Sequence, residues 1–149
     1  MPNKYIERRS LRNELSTYMT THGWTGINFE EGFIKDEAIV VPCVSIYFLP
    51  SNFKPLQIGR DSTDSITRVV QIDCYMESEP RADAISEEIA EFLELTVISI
   101  KDQNSTELGT LTSNSESITW QTVPPIMNKP KIIRWRAIIR VTYHAYYYE

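Results

Sequence analysis

The sequence predicts an α+β fold, a single domain in which a mostly antiparallel β-sheet carries two α-helices packed on one face. Three observations lead to this prediction. An amphipathic helical pattern opens the chain, a strand runs almost directly into a second amphipathic helix near residue 78, and a strictly alternating strand closes the chain. Helices and strands in such an order are typical of a two-layer α+β sandwich.

The composition is that of an ordinary globular protein. The chain has 149 residues, of which 42% are hydrophobic and 23% charged, and a chain of this size buries roughly 70% of its unfolded surface. The net charge of −5 argues against a protein whose main role is to grip nucleic acid, because phosphate binding needs a basic surface. The N-terminal residues lack a signal-peptide core, and no apolar run approaches the ~20 residues of a membrane span. We therefore expect a soluble protein of a reducing cytoplasm, or of a particle assembled there.

A first helix is predicted over residues 3–22. Asn3 suits the N-cap position and Gly23 the position after the helix end. The apolar face of this helix follows the three-to-four spacing and consists of Leu11, Leu15, Tyr18 and Met19. A turn-rich connection follows, with a short strand at residues 27–29.

The next apolar segment, residues 38–50, is rich in β-branched and aromatic side chains and is predicted to be a strand. Pro42 lacks a backbone donor, so that end should lie at a sheet edge or a bulge. Residues 50–66 combine prolines, a glycine and polar residues, which predicts a long loop. Three large apolar side chains on this loop are poorly placed to join the core of their own domain. We therefore expect them to anchor on a neighbouring subunit. The alternative is that they fold back on their own domain as a small satellite cluster. They are Phe53, Leu56 and Ile58.

The stretch "VVQIDCYMESEPRADAISEEIAEFLE", residues 69–94, changes its periodicity halfway. One strand face carries Val70, Ile72, Cys74 and Met76, and the other carries Gln71, Asp73 and Tyr75. A helix is predicted from Ser78 or Glu79, with Pro80 in its first turn. Its core stripe consists of Ala82, Ile85, Ile89, Phe92 and Leu93. Its opposite side is acidic and consists of Glu87, Glu88, Glu91 and Glu94.

The last third of the chain is predicted to be β-structure. A short strand at 96–101 is followed by a polar segment, residues 102–117, which reads as an exposed hairpin tip or mobile loop. A strand at 117–123 and a proline-rich turn come next. From Ile133 the odd positions are apolar, while the even positions include Arg134, Arg136 and Arg140. This alternation predicts a strand longer than the usual five or six residues.

Residues suited to catalysis are few. Cys43 and Cys74 lie in apolar runs, which predicts two buried free thiols rather than a disulfide. A nucleophilic pair of Cys74 and His144 would need two side chains that the alternation places on opposite strand faces. Neither a metal-ligand spacing nor a phosphate-binding glycine motif occurs, so we expect no metal and no cofactor. The acidic side of the second helix, with Glu87 and Glu91, reads as a solvated or partner-facing surface rather than a metal or acid–base site.

The three arginines of the last strand have two main interpretations. Arg134, Arg136 and Arg140 form either an interface stripe that pairs with acids of a partner or sister subunit, or a polar sheet face paired with Asp73 and nearby acids on the adjacent strand. A nucleic-acid stripe is a third and weaker interpretation, because the remainder of the chain is acidic.

In the order and size of its elements, the chain resembles the tail terminator, or tail-completion, proteins of long-tailed bacteriophages. The resemblance covers most of the chain and rests on the N-terminal helix, on "ITRVVQIDCYMESEPRADAISEEIAEFLE" and on the closing "WRAIIRVTYHAYYYE". In that family the middle strand has a hydrophobic–Gln–hydrophobic–Asp pattern before the helix, which Val70 to Asp73 match. The proline turn and residues 102–117 have no counterpart in the pattern.

The resemblance implies a structural virion protein that is not an enzyme. It implies a homo-oligomeric ring, expected to be a hexamer, that caps the finished tail tube and joins it to the neck. Its partners would be the tail tube protein and the neck or head-completion proteins, with no membrane involved. DNA would pass through the lumen without specific binding, which suits an acidic chain.

The resemblance further implies assembly in the host bacterial cytoplasm and residence in the tail or neck of the virion. The long last strand is expected to pair with the sheet edge of a neighbour. Two alternatives stay open, a head-completion or neck adaptor protein and a small α+β enzyme or ligand-binding module.

Overall fold

The computed structural model of the protein describes residues 3–34, 38–50, 65–125 and 134–148. Within these ranges lie the helices α1 (Lys4–Thr21) and α2 (Glu79–Leu95) and seven strands. The strands are β1 (Asn28–Glu31), β2 (Cys43–Leu49), β3 (Ser65–Met76), β4 (Ile98–Lys101), β5 (Glu107–Ser113), β6 (Thr119–Val123) and β7 (Trp135–Tyr147). A short 3₁₀ turn, Ser115–Ser117, connects β5 to β6. Residues 51–64, which make up most of the predicted loop at 50–66, lie outside the described residues. Phe53, Leu56 and Ile58 are among them.

The strands form one sheet in the order β1–β2–β3–β7–β5–β4, and β6 also pairs with β7. The pair β1–β2 is parallel, whereas the other described pairs are antiparallel. The predicted α+β fold with a mostly antiparallel sheet is therefore confirmed. Its centre is the long β3–β7 pair, which is in register from Ser65↔Tyr146 to Met76↔Trp135.

Both helices bury their apolar stripes against the same face of the sheet. The helical part of the core includes Leu11, Leu15, Met19, Ile85, Ile89, Phe92 and Leu93. The sheet part includes Val70, Ile72, Cys74, Met76, Ala137, Ile139, Val141 and Tyr143. Burial of the four large side chains of α2 stabilises the fold by on the order of 10 kcal/mol before entropy is subtracted. The opposite side of the sheet is called the outer face below.

The helix ends follow the predicted caps. Asn3 Oδ1 accepts hydrogen bonds from two backbone N–H groups of the first turn of α1, at 3.0 and 3.3 Å. Gly23 follows the helix with φ +89°, a conformation that favours glycine. Ser78 caps α2, and Pro80 lies in its first turn, where a missing N–H costs no hydrogen bond. Local chemistry alone therefore determines where these two helices begin.

The prediction of a loop over residues 102–117 is wrong for the seven residues in the middle of the segment. β5 occupies Glu107–Ser113 and pairs with both β4 and β7. This strand buries only Gly109 and Leu111, so its composition is too polar to indicate a strand. Gly109 is needed for close approach, because a Cβ there would lie 2.0 Å from the carbonyl oxygen of Tyr146.

The expectation that β7 pairs with a neighbour's sheet edge is also wrong. β3 occupies one edge of β7, while β6 and β5 share the other, at residues 136–140 and 143–147. Between them, the carbonyl of Thr142 accepts from the Asn114 N–H at 2.9 Å and the Thr142 N–H donates to Ser117 Oγ at 2.8 Å. β7 is long because it pairs with three strands of its own subunit.

Candidate functional site

A polar network centred on Asp73 lies on the outer face of the sheet. The Tyr47 hydroxyl and Arg136 Nη2 both donate to Asp73 Oδ2, at 2.8 and 2.9 Å. Gln71 Nε2 donates to Asp73 Oδ1 at 2.9 Å. Asp73 is only 1% exposed, and a carboxylate so buried needs partners of this kind. Its charge is thus compensated inside the subunit.

The network shifts the acidity of Tyr47 and Arg136. Burial raises the pKa of Tyr47 to about 12, and the hydrogen bond to Asp73 adds to the effect. Burial alone would lower the pKa of Arg136, but the hydrogen bond and the charge of Asp73 outweigh it, so the net shift is upward. Both shifts preserve a neutral phenol and a charged guanidinium at neutral pH, which keeps the network intact there.

The other two arginines lie on the same face. Arg140 Nε donates to Gln71 Oε1 at 2.8 Å, yet the side chain as a whole is exposed. The guanidinium groups of Arg134 and Arg136 lie 5.5 and 5.8 Å from the centre of the Tyr75 ring, within the range of cation–π attraction. The structure thus brings all three arginines to the face that carries Asp73, with the cross-strand ion pair made by Arg136. The interface interpretation stays a prediction, and Arg140 is its most accessible member.

Beyond the network, β7 presents a row of exposed side chains on the outer face. This β7 row consists of Arg140, His144, Tyr146 and Tyr148. The two tyrosines pack edge to face, with ring centres 6.1 Å apart. From Arg140 to Tyr148, one residue beyond β7, the chain advances eight steps of about 3.3 Å, so the row is ~26 Å long. It is a basic and aromatic surface that neither helix covers.

A groove of about 420 Å³ lies between α2 and the segment that leads into β6. The helical wall consists of Glu87, Ala90, Glu91 and Glu94. The opposite wall consists of Ser115, Glu116, Ile118 and Trp120. Four carboxylates line this acidic groove, no described lining residue is a cation, and Trp120 is 51% exposed. Its apolar members leave room for a nonpolar side chain between the acids.

The acidic residues of α2 and the arginines of the last strand therefore lie in different layers of the fold. Glu87 and Glu91 are on α2, while the arginines are on the outer face of the sheet. The structure does not bring them together within one subunit. Any contact between them would join two molecules.

Cys74 and His144 do not form a pair. Cys74 is fully buried on the core face, and His144 is exposed on the outer face, opposite Thr67 in register. Both cysteines are free and buried, as predicted. No group of three or more His, Cys, Asp or Glu within the described ranges is arranged to hold a metal ion. None of the helices in these ranges has the length and apolar character needed to cross a membrane.

Neither thiol should react with an alkylating reagent in the native protein at neutral pH. Burial raises the pKa of Cys43 to about 11 and also raises the pKa of Cys74, so less reactive thiolate is present than in a free cysteine. Labelling followed by mass spectrometry, in native buffer and in denaturant, checks this. Native labelling of either thiol at the denatured rate would contradict the burial.

A second polar cluster, absent from the sequence predictions, is buried on the core face. Arg68 Nε and Nη2 donate to Glu7 Oε1 and Oε2 at 2.8 and 3.2 Å. The Tyr147 hydroxyl also donates to Glu7 and accepts from the Asn3 N–H at 3.0 Å. Glu7 is 0% and Arg68 9% exposed. This ion pair connects α1 to β3 and to the end of β7.

The sequence does contain a signal for this cluster. Glu7 precedes Leu11 by four residues, in line with the buried stripe of α1. Arg68 precedes Val70 by two residues, in line with the core face of β3. A charged residue on a core face predicts a buried charge that needs a partner. The pattern does not say which residue that partner is.

Comparison with known proteins identifies a shared fold. No protein-family model and no curated protein sequence matches the chain. Among solved structures, 19 chains match. One, a protein whose designation states no activity or partner, superposes with a TM-score of 0.61 at 14% identity, over 100% of this chain and 99% of its own. The chain therefore shares its overall fold, along its whole length, with a solved protein of nearly the same size.

Proposed function

We propose that this protein is the tail terminator of a long-tailed bacteriophage, a structural subunit that forms a ring, expected to be a hexamer, on the finished tail tube. The observation that supports this proposal most is the different chemistry of the two outward surfaces. The β7 row is basic and aromatic, whereas the acidic groove lies in the helical layer. A subunit with two such surfaces is suited to stand between unlike neighbours, as a terminator stands between tube and neck.

The β7 row has the composition of a protein-binding surface. Tyr146 and Tyr148 are each 48% exposed, and tyrosine and arginine are enriched where proteins bind one another. The net charge of −5 suits a ring whose lumen lets DNA pass without holding its phosphates. On this proposal the row contacts the tail tube protein or a neck protein, and the protein resides in the virion after assembly in the host cytoplasm.

The double substitution Tyr146→Ala/Tyr148→Ala should weaken binding to tail tubes or necks about tenfold or more, because it removes both aromatic anchors of the row. The measurement is co-sedimentation with tails purified from phage that lack the protein, with electron microscopy of the capped ends. Leu95→Ala is the matched control, since Leu95 is 72% exposed and lies outside the row.

Two outcomes would count against the terminator. Wild-type protein that binds neither tubes nor necks would overturn the proposal. Wild-type protein that binds DNA-filled heads and not tubes would replace it with the head-completion or neck adaptor alternative.

A further inference from the structure

We propose that the acidic groove binds the basic start of α1 from a second copy of this chain, and that this is the subunit-to-subunit contact. The ring in which the contact would repeat rests on the proposed function. The contact itself is a property of the isolated protein and is tested on it.

The groove holds charges that the described part of the subunit leaves unpaired. None of its four carboxylates forms an ion pair with a described residue. Glu87 and Glu91 are four residues apart on α2, and Glu94 follows three residues later, so like charges repel along one helix face. A bound cation would relieve this repulsion.

The groove also has an apolar part. Ala90, Ile118 and the exposed Trp120 lie among the acids. An indole face attracts cations as well as aromatic rings. The chemistry that fits this site is therefore a basic side chain next to an aromatic one.

The first turns of α1 carry this combination on exposed side chains. Lys4, Tyr5 and Arg9 are exposed and are called the α1 ridge. The Arg9 guanidinium lies 4.5 Å from the centre of the Tyr5 ring and donates to the Tyr5 hydroxyl. The two side chains therefore form one basic and aromatic unit.

The remaining cations of α1 are directed to their own subunit. Arg8 pairs with Glu31 at 3.4 Å, and Arg12 donates to the carbonyl oxygen of Phe29 at 3.1 and 3.2 Å. Arg9 approaches Glu31 only at 3.8 Å, and its side chain is 50% exposed. The ridge is thus the part of α1 available to another molecule.

The opposite charges of groove and ridge favour a second copy as the occupant. A helix that packs one face into a groove is a familiar mode of recognition, and here Tyr5 could meet the apolar part of the groove while Lys4 and Arg9 meet its acids. No residue of the ridge lines the groove, so the contact joins two different surfaces and repeats head to tail. Such a heterologous contact closes into a ring when its rotation permits, which a terminator requires.

Two charge-reversed proteins test the contact. The groove variant is Glu87→Lys/Glu91→Lys, and the ridge variant is Lys4→Glu/Arg9→Glu. Each alone should weaken self-association about tenfold or more, because like charges then face each other. An equimolar mixture should restore association, because each variant supplies the opposite charge. Sedimentation velocity measures both, and wild-type association should weaken as salt is raised.

Controls separate assembly from folding. Arg81→Glu reverses an exposed cation outside the groove, the ridge and the β7 row and should leave self-association unchanged. All variants should keep the circular dichroism spectrum of the wild type. A blue shift of tryptophan emission on association, lost in Trp120→Phe, should report on the groove itself.

The outcomes distinguish this contact from the proposed function. Unchanged association of both variants, or an effect of the groove variant alone, refutes the ridge of a second copy as the occupant and leaves open a ring built on another surface. Failure of the mixture to associate also refutes it. A wild-type protein that is monomeric at every concentration and forms no ring on tails refutes both proposals.

Discussion

Replacement of Arg68 by methionine should lower the free energy of unfolding by about 3–5 kcal/mol, the usual effect of removing one partner of a buried ion pair. Glu7 is 0% exposed. In the variant, the Tyr147 hydroxyl would be the only described side chain still bound to its carboxylate. Water cannot reach the carboxylate to compensate. The measurement is equilibrium unfolding in urea at neutral pH.

Two further variants show whether the charge is the cause. Arg8→Met removes a surface ion pair, in which the side chains of Arg8 and Glu31 are 28% and 19% exposed, and should cost no more than about 1 kcal/mol. The double variant Glu7→Leu/Arg68→Met should recover most of the lost stability, because no unpaired charge remains buried. If Arg68→Met costs no more than Arg8→Met, the buried pair is not formed in solution.

Replacement of Arg136 by methionine should lower the free energy of unfolding by about 1.5–3 kcal/mol, the range of a hydrogen bond to a charged group. Asp73 is 1% exposed and would lose its only ion-pair partner among the described residues. The expected effect is smaller than at Arg68 because the Arg136 side chain is 34% exposed and water screens part of the charge. Arg136→Glu should cost more, since it places a second carboxylate beside Asp73.

Assembly measurements on the same variants separate the two interpretations of the arginines. If Arg136 acts mainly within the Asp73 network, its replacement should lower stability before it impairs assembly. The interface interpretation predicts an assembly defect in Arg136→Glu larger than its loss of melting temperature. Arg140→Met is the control, because Arg140 is exposed and donates a single described hydrogen bond, to Gln71, so its unfolding free energy should change by about 1 kcal/mol or less.

The elements that were predicted well are those with local signals. Asn3 and Ser78 cap their helices through their own side chains, and the change of period after Glu77 marks the passage from β3 to α2. These signals act within one or two helical turns, so no knowledge of the rest of the chain is needed. Even the core faces follow from the two periodicities.

β5 could not be predicted in the same way. It buries little more than Gly109 and Leu111, and its stability comes from hydrogen bonds to β4 and β7 rather than from an apolar face of its own. A strand of this kind is defined by its neighbours, because its side chains carry too weak a pattern. Neighbouring strands also explain the length of β7, because three strands of its own subunit pair with it.

The candidate site shows the same division. The sequence placed Asp73 and Arg136 on polar strand positions, but Asp73 faces Ile138 in register, and Arg136 reaches it only along the diagonal. The groove beside Glu87 and Glu91 depends on Ile118 and Trp120, which belong to its other wall. Neither relation can be derived without the register of the strands.

The sequence by itself determined the two helices, their caps, the alternation of the long strands and the apolar face of each, because these depend on residues close along the chain. The tertiary structure alone decided where charges meet. Arg68 finds Glu7 across 61 residues, and Arg136 finds Asp73 across 63. A hydrogen bond needs its atoms placed within a few tenths of an ångström, and only the packed sheet and helices provide that precision.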